Sequence, residues 1–483
     1  MLIVVNNLPS HYEIEQLTRM FTKELSVVYG AKEQQAEDNE LLYVNRQGEN
    51  VFVEFKKDGR IYTDTVKSDQ DEDKMMLDVC ASVYKMFTEV FDKKLAWGML
   101  TGVRPVRLMR NLYKKHGDIE AVKDIFKNRY FVTDEKIQLC SDIYNLQKNI
   151  IDNCRPTDYS LYISVPFCPT RCSYCSFVSV GSTNAAKLME QYVEKLCDEI
   201  EYTAKTAQKA GLNLKTIYIG GGTPTAVSAE QLRQIMQTVK DNFDLSAVEE
   251  YTVEAGRPDC TTKEKLQIIK ELGADRVSIN PQTFSDDVLK AIGRKHTHAD
   301  FVECYKTAKE MGFKSINTDL IAGLPLDTVE GFEKSLKGCI ELGAENITVH
   351  TLTLKRASNI VTGNQNNSYA DVEQMLAKNT MLAENGYIPY YMYRQKATLQ
   401  SLENVGFSQP QHESLYNIYI MEEIQTIISC GAGGVTKVVG PNGELKRIYN
   451  YKYPTEYVKD FNTILTRKDE VTEVCRQFGF LND

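Results

Sequence analysis

The chain has 483 residues, 42% hydrophobic and 25% charged, which is ordinary globular composition with enough length for roughly two to four domains. A formal net charge of -9 excludes a broad basic face, so no nucleic-acid partner is expected, and an anionic substrate has to be met by a local cluster of Lys and Arg. The amino-terminal Met-Leu-Ile-Val-Val-Asn-Asn carries no basic run, no segment approaches the ~18 apolar residues of a spanning helix, and only three of the twelve cysteines sit in a tight motif, so a cytoplasmic protein without a membrane span is expected.

Residues 1–92 read as a small α+β module. Leu2 to Val5 is strand-like and Tyr12 to Leu25 has helical apolar spacing. Leu41 to Val44, Val51 to Phe55 and Ile61 to Val66 alternate around Arg-Gln-Gly-Glu-Asn and Lys-Lys-Asp-Gly, the turn signals of a meander. The acidic stretch Ser68 to Asp73 leads into a helix over Met75 to Phe91. Residues 93–157 form a helical linker with the single tryptophan, Trp97, and helical segments at Ala121 to Lys127 and Asp134 to Cys154. Arg104, Arg107 and Arg110 are spaced to share one helix face, either solvated or binding carboxylates.

The residues that organise the chain follow. In Tyr162 to Phe177, Tyr-Ile-Ser-Val-Pro-Phe-Cys-Pro-Thr-Arg-Cys-Ser-Tyr-Cys-Ser-Phe, the thiols of Cys168, Cys172 and Cys175 fall on one short loop. Soft thiolates select zinc or an iron-sulfur cluster. A structural zinc site is closed by a fourth Cys or His, and none stands at zinc-like spacing here. Three thiolates on a four-iron cluster leave one iron open.

From Leu161 onward, short β-rich runs (Leu161 to Val165, Thr216 to Ile219, Glu250 to Glu254, Arg276 to Ile279, Ser315 to Ile321, Asn346 to Thr351) alternate with helical patterns (Ala185 to Ala210, Ala229 to Asn242, Lys263 to Leu272, Ala299 to Met311, Val329 to Leu342). Repeated β-α units predict a parallel sheet curled by right-handed crossovers, with functional groups at the C-terminal strand ends. The expected architecture is α/β: a partial (β/α)6 TIM-like barrel over residues 158–354, the α+β module before it, and a C-terminal α+β cap, residues 355–483, lying across the barrel mouth and covering substrate. The cap begins with a polar stretch at 362–368 and contains a Gly-rich turn at 430–434.

C-x3-C-x2-C spacing is similar to that of the radical S-adenosylmethionine (SAM) superfamily. The longer wording Tyr-Ile-x-Val-Pro-Phe-Cys to Phe177 resembles the branch that holds oxygen-independent coproporphyrinogen III oxidases, heme chaperones and heme-opening enzymes. Leu100 to Pro105, Tyr393 to Lys396, Glu403 to Phe407 and Glu413 to Ile418 resemble the HemZ-type coproporphyrinogen dehydrogenases, extending the likeness over almost the whole chain.

That resemblance implies a [4Fe-4S] cluster on Cys168, Cys172 and Cys175, with SAM chelated to the open iron. Gly220, Gly221, Gly222 and Thr223, directly after a strand, match the motif for the methionine amine; glycines there let a ligand approach the backbone. Glu254, Gln282 and Asp319 match polar positions of the same pocket, Asp319 suiting the ribose hydroxyls. Arg294 suits the SAM carboxylate, Tyr162 the methionine part and Phe177 the adenine.

The implied reaction takes one electron from a flavodoxin- or ferredoxin-type donor, cleaves SAM, and abstracts a propionate β-hydrogen of coproporphyrinogen III. Loss of CO2 and a further electron leaves a vinyl group, twice per substrate, in heme biosynthesis. Arg394, Lys396, Lys355, Arg356 and Arg104 are candidates for the substrate carboxylates, and Tyr387, Tyr390, Tyr391 and Tyr393 form either a tetrapyrrole face or core packing. A monomer is expected. The sequence departs from the family at Ser164, where a His is usual, at Phe177 in place of a further Cys, at Glu-Ala-Gly-Arg-Pro (254–258) and at Asn280-Pro281. Two other readings are an enzyme that opens or alkylates heme and a heme-binding chaperone, for which His350 or His412 could supply an axial ligand.

Overall fold

The computed structural model describes residues 1–22, 25–29, 40–102, 104–177, 179–181, 185–355, 358, 360 and 369–480; Arg356 and the stretch 362–368 lie outside the described residues. The chain divides into two units: Met1–Tyr144 with Arg394–Lys396 and Gln400–Leu402, and the remainder.

In the first unit, β1 (Leu2–Asn6), β2 (Ser26–Val28), β3 (Glu40–Gln47), β4 (Asn50–Lys57) and β5 (Arg60–Lys67) form one sheet in the order β2-β1-β3-β4-β5. The β3-β4-β5 part is the predicted antiparallel meander. Its turns need the positive φ of Gly48 and Gly59, 59° and 76°, which side chains with a Cβ resist. Alternation sends Ile3, Val5, Leu42, Val44, Val53 and Phe55 to one face, where they pack on Met75, Val79, Val83 and Phe87 of α2 (Glu72–Val90).

The first helix, α1 (Tyr12–Thr18), stops short of the predicted Leu25. Tight turns at Met20 and Phe21 end it and bring the Phe21 ring to 5.3 Å from Phe87, leaving the following residues free to pair with β1 as β2. Further on come α3 (Pro105–His116), α4 (Ile119–Asp124) with a π turn after it, and α5 (Asp134–Asp152). Arg104 precedes the first turn of α3 and Arg110 is buried, so the three arginines do not make one solvated stripe.

The second unit contains β6 (Asp158–Val165), the short pair β7 (Phe167–Cys168) and β8 (Val180–Gly181), α6 (Ala186–Lys209), β9 (Asn213–Gly221), α7 (Ala229–Asn242), β10 (Glu250–Glu254), α8 (Lys263–Glu271), β11 (Arg276–Ser278), α9 (Asp286–Ala291), α10 (His298–Glu310), β12 (Ser315–Ala322), α11 (Val329–Glu341) and β13 (Asn346–Thr351). β6, β9, β10, β11, β12 and β13 lie side by side in that order, all parallel, as the predicted barrel requires.

The sheet does not close. Strands from the C-terminal region extend it at both edges: β14 (Ile388–Arg394) and β15 (Glu403–Ser408) beyond β13, and β16 (Thr426–Cys430), β17 (Val435–Val439) and β18 (Leu445–Tyr449) beyond β6. Much of the region expected as a cap therefore satisfies the backbone groups that two open edges would leave unpaired. Among the described residues no helix is long and apolar enough to cross a membrane.

Along β6 the apolar Leu161, Ile163 and Val165 alternate with Ser160, Tyr162 and Ser164, and both sets are largely enclosed, as expected for a strand covered on two sides. Near the strands' N-terminal ends, Thr216 donates to Ser160 at 2.7 Å and Ser160 to Gln425 at 2.6 Å. Glu250 accepts from the Ser414 hydroxyl at 2.9 Å and the Leu415 N–H at 2.7 Å, where the helix Leu415–Glu422 begins. That helix delivers Tyr416 onto Tyr218, with ring centres 4.4 Å apart. The helix starts at this end of the sheet, and the cysteine loop sits at the other, on the strands' C-terminal side.

Candidate functional site

The cysteine loop leaves β6 and is pinned on both flanks. Val180 N–H donates to the Pro166 carbonyl at 3.0 Å, Ser173 N–H to Ile292 at 2.9 Å, and the Thr170 hydroxyl to Gly293 at 3.0 Å. Each thiol has a donor. Thr223 Oγ1 lies 3.5 Å from Cys168 Sγ, Arg257 Nη1 lies 3.5 Å from Cys172 Sγ, and the Phe177 backbone N–H faces Cys175. Burial pushes the Cys168 and Cys175 thiols above their ordinary range, and the neighbouring cysteines add to the shift. Among the described residues no three His, Cys, Asp or Glu converge on a single ion. Thiolates that each take a separate iron of a cluster need no such convergence.

The glycine loop closes against this segment. Gly222 N–H donates to Val165 at 3.0 Å and Thr223 N–H to Phe167 at 2.7 Å. A Cβ on Gly220 would stand 2.9 Å from Glu254 Cδ, and one on Gly222 would stand 2.7 Å from the Phe167 carbonyl oxygen. Gly221 has φ of 107°, in the region that favours glycine. Gly221, Gly222 and Thr223 are thus brought beside Cys168.

Glu254 ends β10 and accepts a 2.7 Å bond from Tyr218. Burial raises its carboxyl to about 7, Asp319 adding to the shift, against the Tyr218 bond and the Gly221 N–H. Tyr162 stacks with Tyr218 and Tyr416, its ring centre 6.2 Å from each. Asp319 Oδ1 accepts from Asn317 at 2.8 Å, with His350 Nε2 at 3.8 Å. Burial pushes Asp319 up, but His350 and Asn317 outweigh it and hold the carboxyl below its ordinary value. Gln282 is buried at φ of 68°, strained for a residue with a Cβ, and its N–H donates to the Asp319 carbonyl at 2.9 Å.

Arg294 is buried and only partly used. Its Nη1 donates to the carbonyls of Asn280 at 2.7 Å and Gly256 at 3.1 Å, and Nη2 reaches the Tyr174 hydroxyl, between Cys172 and Cys175, at 3.3 Å. Its Nε is buried without a partner. Nε and Nη2 make the fork that grips a carboxylate; of the two, Nη2 is held by Tyr174 and Nε has no partner.

The remaining expected residues divide between exposed and buried positions. Phe177 is 66% exposed. Arg394, read as a substrate holder, belongs to the first unit, where it is buried, donates to Leu100 at 2.5 Å and Ser401 at 2.9 Å, and lies 5.2 Å over Trp97; its guanidinium is spent on the fold. Lys396 lies 4.4 Å over the Tyr12 ring in the same unit. Lys355 is exposed and near enough to Cys175 to feel its charge. Tyr387, Tyr390 and Tyr391 are core, whereas Tyr393 is partly open and meets His350 Nδ1 at 3.2 Å. The Ser164 hydroxyl donates to the Ala432 carbonyl at 2.7 Å, tying the Gly-rich turn to β6. Sequence reading gave no site role to Arg257, Asp259, Asn280, Asn317, Tyr218 or Tyr416; the departures at Gly256-Arg257 and Asn280-Pro281 signalled two of them.

The arrangement, three cysteines at the C-terminal side of a partial parallel barrel, defines a radical SAM fold. A family model of the radical SAM superfamily matches residues 162–338. The solved structure of coproporphyrinogen III oxidase (HemN) from Escherichia coli, a radical SAM enzyme, aligns at a TM-score of 0.52 with 22% identity, covering 67% of this chain and 73% of that one. The oxygen-independent coproporphyrinogen-III oxidase-like protein HemZ of Bacillus subtilis is 35% identical over 479 residues, 96% of this chain and 95% of the relative. The heme chaperone HemW of Bacillus subtilis is 41% identical over 201 residues, 41% of this chain and 51% of the relative.

The chain belongs to the oxygen-independent coproporphyrinogen-III oxidase-like family of radical SAM proteins. Its cofactors are accordingly a [4Fe-4S] cluster and SAM. The residues present fit them: three thiols each with a donor, a glycine loop with no space for side chains, and a buried arginine with an unpaired Nε.

Proposed function

We propose that this protein is a radical SAM oxidoreductase that decarboxylates coproporphyrinogen III to protoporphyrinogen IX without oxygen, in heme biosynthesis, drawing electrons from a flavodoxin- or ferredoxin-type donor. The likeness to HemZ over 96% of the chain carries the substrate class. The Arg294 fork beside the cysteine loop supports SAM binding.

In this reading Cys168, Cys172 and Cys175 hold three irons. Arg294 would take the SAM carboxylate through its guanidinium, while Glu254 and the backbone of Gly220 to Thr223 would meet the amine. Asp319, oriented by Asn317, would accept from the ribose hydroxyls, Gln282 would border the same pocket, and Tyr162 and Phe177 would serve the methionine part and the adenine. When bound, cluster and SAM supply a reductively generated 5'-deoxyadenosyl radical able to take hydrogen from an unactivated carbon. The chain's part is positioning and exclusion of water: Tyr162, Tyr218 and Tyr416 stack in a closely packed layer against Glu254.

The 41% identity to the heme chaperone HemW over 201 residues supports a second reading, a heme-binding chaperone that does not decarboxylate. Anaerobic turnover of reduced, reconstituted protein with SAM separates the readings, offering coproporphyrinogen III and heme separately and following products by mass spectrometry. Loss of two CO2 coupled to 5'-deoxyadenosine is expected; opened or alkylated heme, or heme held without product, would overturn the decarboxylase.

A further inference from the structure

Arg257 stands in the loop after β10, in the Glu-Ala-Gly-Arg-Pro stretch. The residue is 3% exposed, yet its guanidinium is fully engaged. Nε and Nη2 grip Asp259 at 2.9 and 2.8 Å, Nη2 also reaches the Thr170 hydroxyl at 3.0 Å, and Nη1 faces the Thr170 carbonyl at 3.3 Å and Cys172 Sγ at 3.5 Å. The bidentate pair fixes the fork's plane, so Nη1, which also meets the Thr170 carbonyl, is held against the Cys172 sulfur. Cys172 is itself buried, and water therefore does little to screen that charge.

Building a buried ion pair is costly, and a stability role would be met as well by apolar side chains. Here the pair spans the inside of the cysteine loop, from Thr170 to Cys172, and ends on the sulfur. Hydrogen bonds to cluster sulfurs and nearby charge are among the levers that set cluster potentials. An N–H donor and a positive charge stabilise the more negative, reduced cluster; the partner carboxylate opposes them.

We propose that Arg257 and Asp259 form a positioning pair that sets the reduction potential of the cluster through Cys172, Arg257 raising it and Asp259 moderating that effect. This rests on the cluster reading of the three cysteines but not on any tetrapyrrole substrate.

The test is a spectroscopically monitored redox titration of the reconstituted full chain, without tetrapyrrole, comparing the unsubstituted protein, Arg257→Met and Asp259→Asn. Arg257→Met is expected to lower the reduced-to-oxidised ratio at fixed potential about tenfold, a shift of about 59 mV for one electron. Asp259→Asn, which leaves the guanidinium uncompensated, is expected to shift the midpoint in the opposite direction. Should Arg257→Met fail to take up iron, the positive shift of Asp259→Asn alone carries the inference. Unchanged midpoints, or shifts of the same sign in both variants, would overturn it while leaving the cluster assignment intact. No cluster in the unsubstituted protein would overturn both.

Discussion

Tyr218 donates its phenolic hydrogen to Glu254 at 2.7 Å, at the point where the glycine loop leaves β9. Burial raises Glu254 from 4.5 to about 7, so near neutrality this carboxyl holds a proton that an incoming ammonium group would displace. SAM affinity is therefore expected to rise between about pH 6 and pH 8 and then level off. Isothermal titration under anaerobic conditions checks this, and Glu254→Gln should weaken binding and flatten the profile. Stability runs the other way. A carboxyl whose folded pKa lies above its unfolded value contributes fully below about pH 4.5, and that contribution is lost as pH rises through about 7.

Gly222 and Gly181 flank the same loop but differ in the space around them. A Cβ on Gly222 would press on backbone atoms of Phe167 at 2.7 and 2.9 Å, whereas one on Gly181 meets nothing within 4 Å among the described residues. Gly222→Ala is expected to displace the loop and cut iron incorporation several-fold, with Gly181→Ala indistinguishable from the parent. Iron and sulfide analysis after reconstitution decides it, and equal iron in both variants would contradict the packing argument.

Lys468 and Glu199, both essentially inaccessible, form a 2.9 Å ion pair. Glu199 also accepts from Gly431 N–H at 2.6 Å and Tyr457 at 2.5 Å, so one carboxylate holds the Gly-rich turn to α6. Replacing Lys468 by Met leaves that charge buried without its cation and should cost about 3–5 kcal/mol. A urea titration monitored by circular dichroism would show the lowered midpoint.

Arg394→Ala separates fold from substrate binding. Its guanidinium bonds to carbonyl groups of its own unit, so the change should cost about 1–3 kcal/mol in stability through the unsatisfied carbonyls. It should leave the KM for a tetrapyrrole unchanged, and a raised KM at unchanged stability would restore Arg394 as a substrate residue.

Much of the architecture was legible in local patterns. The strand from Glu250 to Glu254 and the helix from Ala229 to Asn242 have the boundaries that alternation and helical spacing predict, and the cysteine spacing and its surrounding motif pointed to the family. Helix α1 was overread because its apolar spacing continues past the point where Phe21 turns into the aromatic core.

The sequence by itself determined the barrel units, the three cysteines and the glycine loop, because these depend on periodicity and on spacing within a few residues. Only the tertiary structure decided which polar groups meet. Arg257 and Cys172 are 85 positions apart, and Ser164 and Ala432 are 268 apart. It also showed Arg294 held through Nη1 and Nη2 with Nε unpartnered, Arg394 spent on carbonyl groups, and Tyr416 stacked on Tyr218. Such pairings follow from the packing of whole elements, which brings distant side chains together and leaves no trace in local order.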